Sequence, residues 1–242
     1  MQKYTSTKRK LVSLIKARKI FLIAIASVST ITIGVSIFAP SFRTRPKFQM
    51  PEQILLPDLK FQSSREPNKL SDSNNSNRSS IRQYVYKFTN SSLGQELRID
   101  AAYILANASI PSSLSVLAIQ NPNNLDNLET RQIKGIGYFT LFTHEQRAYL
   151  ASCINPRGGS TVTLEQFNNN RNKYDISPER VVRYLIGVAD LRDDRCLLTA
   201  MSIDLESKVT PQNKEILEPI YQKLQSSWSN WFANWQSNFP ES

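Results

Sequence analysis

Residues 135–154 read GIGYFTLFTHEQRAYLASCI, two apolar and aromatic runs joined by the polar residues Thr143–Gln146. GIGYFTLF and RAYLASCI each have the length of a strand, and the short polar connection between them is typical of a β-hairpin. Apolar side chains occupy both alternating faces of each run, which is typical of strands that are covered on both sides. The sequence therefore predicts a central antiparallel hairpin with helices packed against it.

Further strands are predicted on either side of this hairpin. QYVYKFT (residues 83–89) and LRIDAAYIL (97–105) place apolar or aromatic side chains at every second position, and Asn90–Gly94 joins them. This alternation predicts a second antiparallel hairpin. RCLLTAMSIDL (195–205) predicts another strand, whereas residues 106–132 fit a short helix or a strand together with a loop.

Two helices are predicted directly after the central hairpin. Thr163 followed by Gln166 fits a capping box and predicts a helix as far as about Asn172. The tripeptide SPE at residues 177–179 combines a capping serine, a first-turn proline and a first-turn acid, and it predicts a second helix over about 178–187. Together the strands and helices predict the α+β class, with helices packed on an antiparallel sheet.

The stretch Ile20–Ala39 reads IFLIAIASVSTITIGVSIFA and contains no charged residue. As a helix it would be about 30 Å long, which matches the hydrocarbon thickness of a bilayer. Seven basic residues precede it and only three follow it, up to Lys47, which predicts a cytoplasmic N-terminus. The sequence thus predicts an uncleaved signal anchor, single-pass in the inner (plasma) membrane, that contacts lipid through Ile20–Ala39. A cleaved signal peptide is the alternative.

The predicted anchor divides the chain into five segments. Residues 1–19 are a basic cytoplasmic tail, 20–39 the transmembrane helix, 40–62 an extended lead-in with several prolines, 63–81 a flexible polar loop, and 82–242 the exported, periplasmic α+β domain. The loop is rich in Ser and Asn, so it buries too little apolar surface to offset the entropy of ordering it.

The positive charge lies close to the predicted anchor. The formal net charge is +10, and all ten excess basic residues precede residue 48, so the remaining chain carries equal numbers of basic and acidic side chains. Binding to phosphates requires basic residues concentrated on a domain surface. The neutral exported part therefore excludes a nucleic-acid partner.

The chain has two cysteines, Cys153 and Cys196, and one histidine, His144. Outside the cytoplasm the two cysteines are expected to form a disulfide, and so few ligands predict no metal site and no cofactor. A hydrolase or transpeptidase that uses Cys153 is an alternative. In the predicted hairpin, however, His144 lies at the turn, about 20 Å from Cys153. No catalytic residue is therefore predicted.

A glycine-rich segment, Asn155–Thr161 (NPRGGST), precedes a predicted helix N-terminus. Backbone N–H groups in this arrangement can bind an anion or a peptide carboxylate, so Arg157, Gly158, Gly159 and Ser160 are candidate binding residues. The segment lacks the lysine of a phosphate-binding P-loop, and a tight turn between strand and helix is the alternative. Two other polar runs, 168–172 and 190–195, are expected to be solvated.

A long helix is predicted from Pro211, with apolar residues that recur at steps of four and three and so form one stripe. Its second half carries the tryptophan stripe, Trp228, Trp231 and Trp235. Tryptophan is enriched at protein hot spots and at membrane interfaces, so these three residues are candidates for docking onto a partner protein or a lipid surface. Packing in the core is the alternative.

Two stretches carry a resemblance to a known family. SCINPRGGSTVTLEQFNNNRNKYD (152–175) and RVVRYLIGVADLRDDRCLL (180–198) resemble the cyanoexosortase A system-associated family, most closely over residues 137–205. The resemblance implies an accessory protein that works with an integral-membrane exosortase, a protease that processes surface proteins with a C-terminal sorting tail. It carries over no catalytic residues.

The function expected from this resemblance is a non-catalytic, membrane-anchored accessory factor of an exosortase-type sorting system. It would act outside the cytoplasm by binding the protease or its substrates. A cysteine-dependent hydrolase or transpeptidase of the cell envelope and a purely structural envelope protein are the alternatives.

Overall fold

A computed structural model describes residues 16–30, 48–66, 78–89, 95–105, 114–117, 119, 125–185, 190–205 and 214–240. The chain divides into two compact units, Met1–Arg45 with Ser177–Leu191 and Pro46–Ile176 with Arg192–Ser242. We call the second the sheet unit, because it contains all the strands that follow.

Seven strands form one antiparallel sheet in the sheet unit. They are β1 (Leu59–Arg65), β2 (Arg78–Phe88), β3 (Glu96–Leu105), β4 (Asp126–Ile133), β5 (Gly137–His144), β6 (Arg147–Ile154) and β7 (Arg195–Asp204). Their order across the sheet is β1-β2-β3-β7-β6-β5-β4. The last strand in the chain, β7, is thus central, and it pairs with β3 and β6. Covered on both faces, its residues from Arg195 to Ile203 are all buried.

The helices in the described ranges are α1 (residues 16–30), α2 (Leu164–Tyr174), α3 (Pro178–Leu185) and α4 (Lys214–Asn238). α2 and α4 belong to the sheet unit, and α1 and α3 belong to the first unit. The α+β class, the antiparallel sheet and the long C-terminal helix are therefore confirmed.

The central hairpin predicted from residues 135–154 is confirmed as β5 and β6, with Thr140–His144 paired to Arg147–Ala151. The two turn residues, Glu145 and Gln146, have positive φ angles of 45° and 58°. Two successive positive φ angles are the feature of a type I′ turn, whose twist matches the twist of the flanking strands.

The two faces of the sheet bury different sets of side chains. One face, the α4 face, packs against α4 and includes Tyr84, Ile99, Leu141, Leu150 and Met201. The opposite face, the disulfide face, includes Ala102, Phe142, Cys153, Cys196 and Leu198, and it packs against Phe167 of α2. Leu114 and Leu117, in a short 3-10 turn, also pack on the disulfide face.

Part of the predicted lead-in belongs to the sheet unit. Met50, Ile54 and Leu56 are buried on the α4 face, and the hydroxyl of Tyr86 donates to the carbonyl of Ile54 at 2.9 Å. The strands β1 and β2 extend into both ends of the predicted polar loop, 63–81. Residues 67–77 of that loop lie outside the described residues.

The predicted transmembrane helix over residues 20–39 is wrong. None of the helices in the described ranges combines the length and the apolar character that crossing a bilayer requires. The described part of the helix in this region, residues 16–30 (α1), is about 22 Å long at the usual rise and includes Lys16, Arg18 and Lys19. The remainder of the predicted helix, residues 31–39, lies outside the described residues.

Both helices predicted after the hairpin are found. The side chain of Thr163 accepts a hydrogen bond from the backbone of Gln166, and the side chain of Gln166 accepts one in return, so the capping box of α2 is confirmed. At α3 the hydroxyl of Ser177 accepts from the backbone N–H of Arg180 at 3.3 Å. Residues 186–187 of the second predicted helix lie outside the described residues.

Candidate functional site

The glycine-rich segment lies between the diverging ends of β5 and β6. The N–H of Ser160 donates to the carbonyl of Ile136 at 2.7 Å, and the N–H of Tyr138 donates to the carbonyl of Ser160 at 2.9 Å. On the other side Thr161 and Cys153 exchange two backbone hydrogen bonds of 3.0 Å each. The segment therefore extends the sheet for two residues before α2 begins.

Two glycines are required for this close approach. A Cβ at Gly137 would overlap the backbone of Ser160, and Gly137 has a φ of +119°. A Cβ at Gly158, where φ is +74°, would overlap the side chains of Asn170 and Tyr174. Both positions combine a backbone conformation that L side chains rarely adopt with a lack of space.

The backbone N–H groups around the segment are already bonded within the protein. Gly159 N–H donates to Asn170 Oδ1 at 3.1 Å, and the N–H groups of Val162 and Thr163 donate to Gln166 Oε1 at 2.9 and 3.3 Å. An anion at the start of α2 would have to replace these bonds. Binding through Arg157, Gly158, Gly159 and Ser160 thus stays a prediction, and the segment itself has the geometry of a packed connection.

The side chain of Arg157 belongs to a network of ion pairs. Its Nη1 lies 3.0 Å from Asp175 Oδ1 and 3.6 Å from Asp193 Oδ2. Asp193 in turn accepts from Nε and Nη2 of Arg195 at 2.7 Å each, and Arg195 Nη1 donates to the carbonyl of Pro240 at 2.8 Å. The network links the glycine-rich segment to β7 and to the residues after α4.

The polar run 190–195 is less solvated than its composition suggests. The side chains of Asp193 and Arg195 are almost completely buried. Burial alone would lower the pKa of Arg195, but its hydrogen bonds to Asp193 and Tyr103 hold that pKa above the ordinary value. The expectation of a solvated turn is therefore wrong for these two residues.

A cleft of about 570 Å³ opens beside the glycine-rich segment. Its walls come from the turn between β4 and β5, the glycine-rich segment, α2 and the C-terminal part of α4. The polar and aromatic side chains in its lining are Gln132, Tyr138, Ser160, Thr161, Gln166, Asn169, Asn170, Lys173, Tyr174 and Gln236. The volume lies within the usual range of ligand sites, about 300–1,000 Å³.

Amide side chains at the cleft are available to a ligand. Gln132, Asn169 and Gln236 are exposed, and within the described ranges their side chains make no hydrogen bond to the protein. Asn170 differs, because its amide donates to the carbonyl of Arg157 at 2.7 Å and accepts from Gly159. Lys173 is the one charged side chain in the lining, and its Nζ lies 5.0 Å from the ring centroid of Tyr174.

The predicted disulfide between Cys153 and Cys196 is confirmed. Their Cα atoms are 5.7 Å apart on the neighbouring strands β6 and β7, and both side chains are buried on the disulfide face. His144 is the last residue of β5, next to the turn and far along the hairpin from Cys153. Its Nε2 lies 3.6 Å from Glu145 Oε1. The oxidised Cys153 has no thiolate to act as a nucleophile.

The tryptophan stripe lies in the core of the α4 face. Trp228 and Trp231 are 0% exposed and Trp235 is 2% exposed. Trp231 Nε1 donates to Thr199 Oγ1 at 3.2 Å, and its ring lies 5.5 Å from that of Tyr84. Docking through these rings would require α4 to leave the sheet, so their placement is that of the core alternative.

The described ranges contain no group of three or more His, Cys, Asp or Glu residues placed to hold a metal ion. No protein-family model, curated protein or solved structure matches the chain.

The cleft itself was not predicted from the sequence. Its free amides come from β4, α2 and α4, so no local motif brings them together. The run of asparagines at 168–172 was the one available signal, and it was expected to be solvated. Asn170 from that run instead bonds the glycine-rich segment, while Asn169 faces the cleft.

Proposed function

We propose that this chain is a non-catalytic accessory factor of an exosortase-type protein-sorting system, which acts outside the cytoplasm by binding the protease or its substrates. The resemblance of residues 152–175 and 180–198 to the cyanoexosortase A system-associated family supports the system. Residues 152–175 also build most of the cleft, so the resemblance and the candidate site fall on the same part of the chain.

The observation that carries a binding role is the chemistry of the cleft lining. Its free groups are primary amides and phenols, which donate and accept hydrogen bonds, and one ammonium, which donates. Such groups orient a ligand, whereas nucleophilic catalysis by a hydroxyl needs an adjacent base, and among the described residues the lining contains Ser160 and Thr161 but no His, Asp or Glu.

The disulfide supports a location outside the cytoplasm. Cys153 and Cys196 are buried among apolar side chains, where a disulfide has a structural role. Such bonds form and persist in oxidising compartments. The same bond disfavours the alternative of a cysteine hydrolase, because Cys153 would have to be reduced before it could react.

Deletion of the gene tests the proposal. We expect unprocessed precursors of the sorted surface proteins to accumulate in the deletion strain, as seen by the mass of the surface proteins, and re-expression of the wild-type chain to restore processing. A tagged chain should also co-purify with the co-expressed exosortase. Normal processing in the deletion strain together with no co-purification would show the proposal to be wrong.

A further inference from the structure

We infer that the cleft beside the glycine-rich segment binds an extended polypeptide segment that carries acidic side chains. This inference rests on the proposed function, because it names the class of ligand for a domain that acts by binding. It assigns the recognition to Gln132, Asn169, Lys173 and Gln236, none of which was predicted from the sequence as a binding residue.

The lining matches the hydrogen-bonding pattern of an extended backbone. In an extended residue the N–H and the C=O point to the same side, and in an antiparallel pair both are bonded by one opposing residue. A primary amide also offers a donor and an acceptor side by side. Each of the free amides, Gln132, Asn169 and Gln236, can therefore bond both backbone groups of one ligand residue.

The position of the cleft at the sheet edge also favours an extended ligand. β4 is the end strand of the sheet and pairs with β5 alone among the described strands. Gln132 and Ile133 at the end of β4 line the cleft. An edge strand presents unpaired backbone groups that can align an extended peptide.

The charge of the cleft favours a ligand with acidic side chains. Lys173 is exposed, and among the described residues it has no carboxylate partner. No Asp or Glu lines the cleft, so the local field is positive. A ligand with Asp or Glu side chains would gain an ion pair with Lys173, whereas a basic ligand would be repelled.

Two substitutions test whether a ligand binds in the cleft or elsewhere on the surface. Lys173→Glu reverses the one charge in the cleft lining, and Asn169→Trp fills the cleft with a bulky ring from an exposed helix position. The matched controls are Lys60→Glu, on β1 at the opposite edge of the sheet, and Asn172→Trp, an exposed position on α2 outside the lining. All four positions are exposed, so the variants should fold like the wild type.

The test begins with the purified full-length chain and two sets of probes, a phage-displayed library of random octapeptides and a glycan array. We expect the library to yield octapeptides enriched in Asp and Glu, and the array to yield nothing. Fluorescence polarisation with one selected, labelled octapeptide should then show a loss of affinity of about tenfold for Lys173→Glu and a complete loss for Asn169→Trp. Both controls should bind like the wild type.

Several outcomes would overturn the inference. Glycans bound in place of peptides, no ligand from either set, or a selected peptide whose affinity is unchanged in Asn169→Trp would each do so.

Failure of the proposed function is recognised from the processing of precursors in the deletion strain. If precursors are processed normally in the deletion strain while the octapeptides bind the cleft, the cleft is a peptide site and the sorting role is wrong. If processing fails in the deletion strain but no peptide binds, the sorting role stands without this ligand.

Discussion

The two faces of the sheet differ in how they are covered. The α4 face is covered by one long helix, α4, together with Met50, Ile54 and Leu56 of the lead-in. The ring of Trp231 packs directly on Tyr84, and Trp235 reaches Tyr103 through Phe48. The disulfide face is covered in pieces, by the short helix α2, by a 3-10 turn and by the glycine-rich segment. A continuous aromatic cover leaves no room for a ligand, whereas short pieces leave gaps, and the cleft lies where α2 and the glycine-rich segment meet the C-terminal part of α4.

The largest expected effect is on the α4 face. Trp231→Ala removes a fully buried indole and its bond to Thr199, so it should lower the free energy of unfolding by about 5 kcal/mol, the upper end for such truncations. Urea unfolding followed by circular dichroism measures this loss. Asn169→Ala on the disulfide side is the control and should change stability by less than about 0.5 kcal/mol. Equal stability of the two variants would contradict this prediction.

Next in size is the effect of the disulfide on the other face. Cys153 and Cys196 are 43 residues apart in sequence, so the bond should stabilise the fold by about 4 kcal/mol on the chain-entropy model. Reduced wild type and the double variant Cys153→Ala/Cys196→Ala should both lose about this amount in urea unfolding. Alkylation and intact mass verify the redox state. An unchanged midpoint after complete reduction would contradict the prediction.

A smaller effect is expected where the glycine-rich segment contacts β5. Gly137→Ala places a methyl group against the backbone of Ser160 at a φ of +119°, and it should cost about 1–3 kcal/mol. Gly135→Ala is the matched control, because its φ is +85° but a Cβ there meets nothing within 4 Å. It should cost only the conformational strain, about 1 kcal/mol. Thermal unfolding of both variants measures the difference, and identical losses would show that the close approach is unimportant.

The smallest effect concerns an ionisable group on the disulfide face. Burial raises the pKa of Asp100 above its ordinary value of 3.8, although Gln83 and Arg98 act in the opposite direction. The folded state therefore holds this proton more tightly than the unfolded state, so the contribution of Asp100 to stability is greatest below pH 3.8 and is lost as the pH rises through the folded pKa.

Asp100→Asn removes the carboxyl group whose ionisation destabilises the folded state, and it keeps an acceptor for Gln83. The variant should therefore be more stable than the wild type at pH 7 and no more stable in acid. Thermal unfolding at several pH values checks this, with the exposed Glu52→Gln as the control. A variant that is less stable than the wild type at pH 7 would contradict the raised pKa.

Much of the fold was predictable because its signals are local. Alternation at period two predicts the outer hairpin, two apolar runs joined by a short polar connection predict the central hairpin, and Thr163 with Gln166 predicts the start of α2. The disulfide followed from having two cysteines in a chain expected to be exported. The transmembrane prediction rested on apolar composition alone, which does not specify how long a helix is, and the helices in the described ranges lack the length and apolar character of a span.

The sequence by itself determined which residues are apolar, at what period, and where helices and turns begin, because these properties depend on neighbours along the chain. Tertiary structure alone decided what covers each apolar stripe. Periodicity marks the stripe of Trp228, Trp231 and Trp235, but only the packing of α4 on the sheet shows that no partner is needed to bury it. Tertiary structure also decided the cleft, because Gln132, Asn169 and Gln236 lie on three different elements. Such distant residues meet only when the strand order and the helix packing are complete.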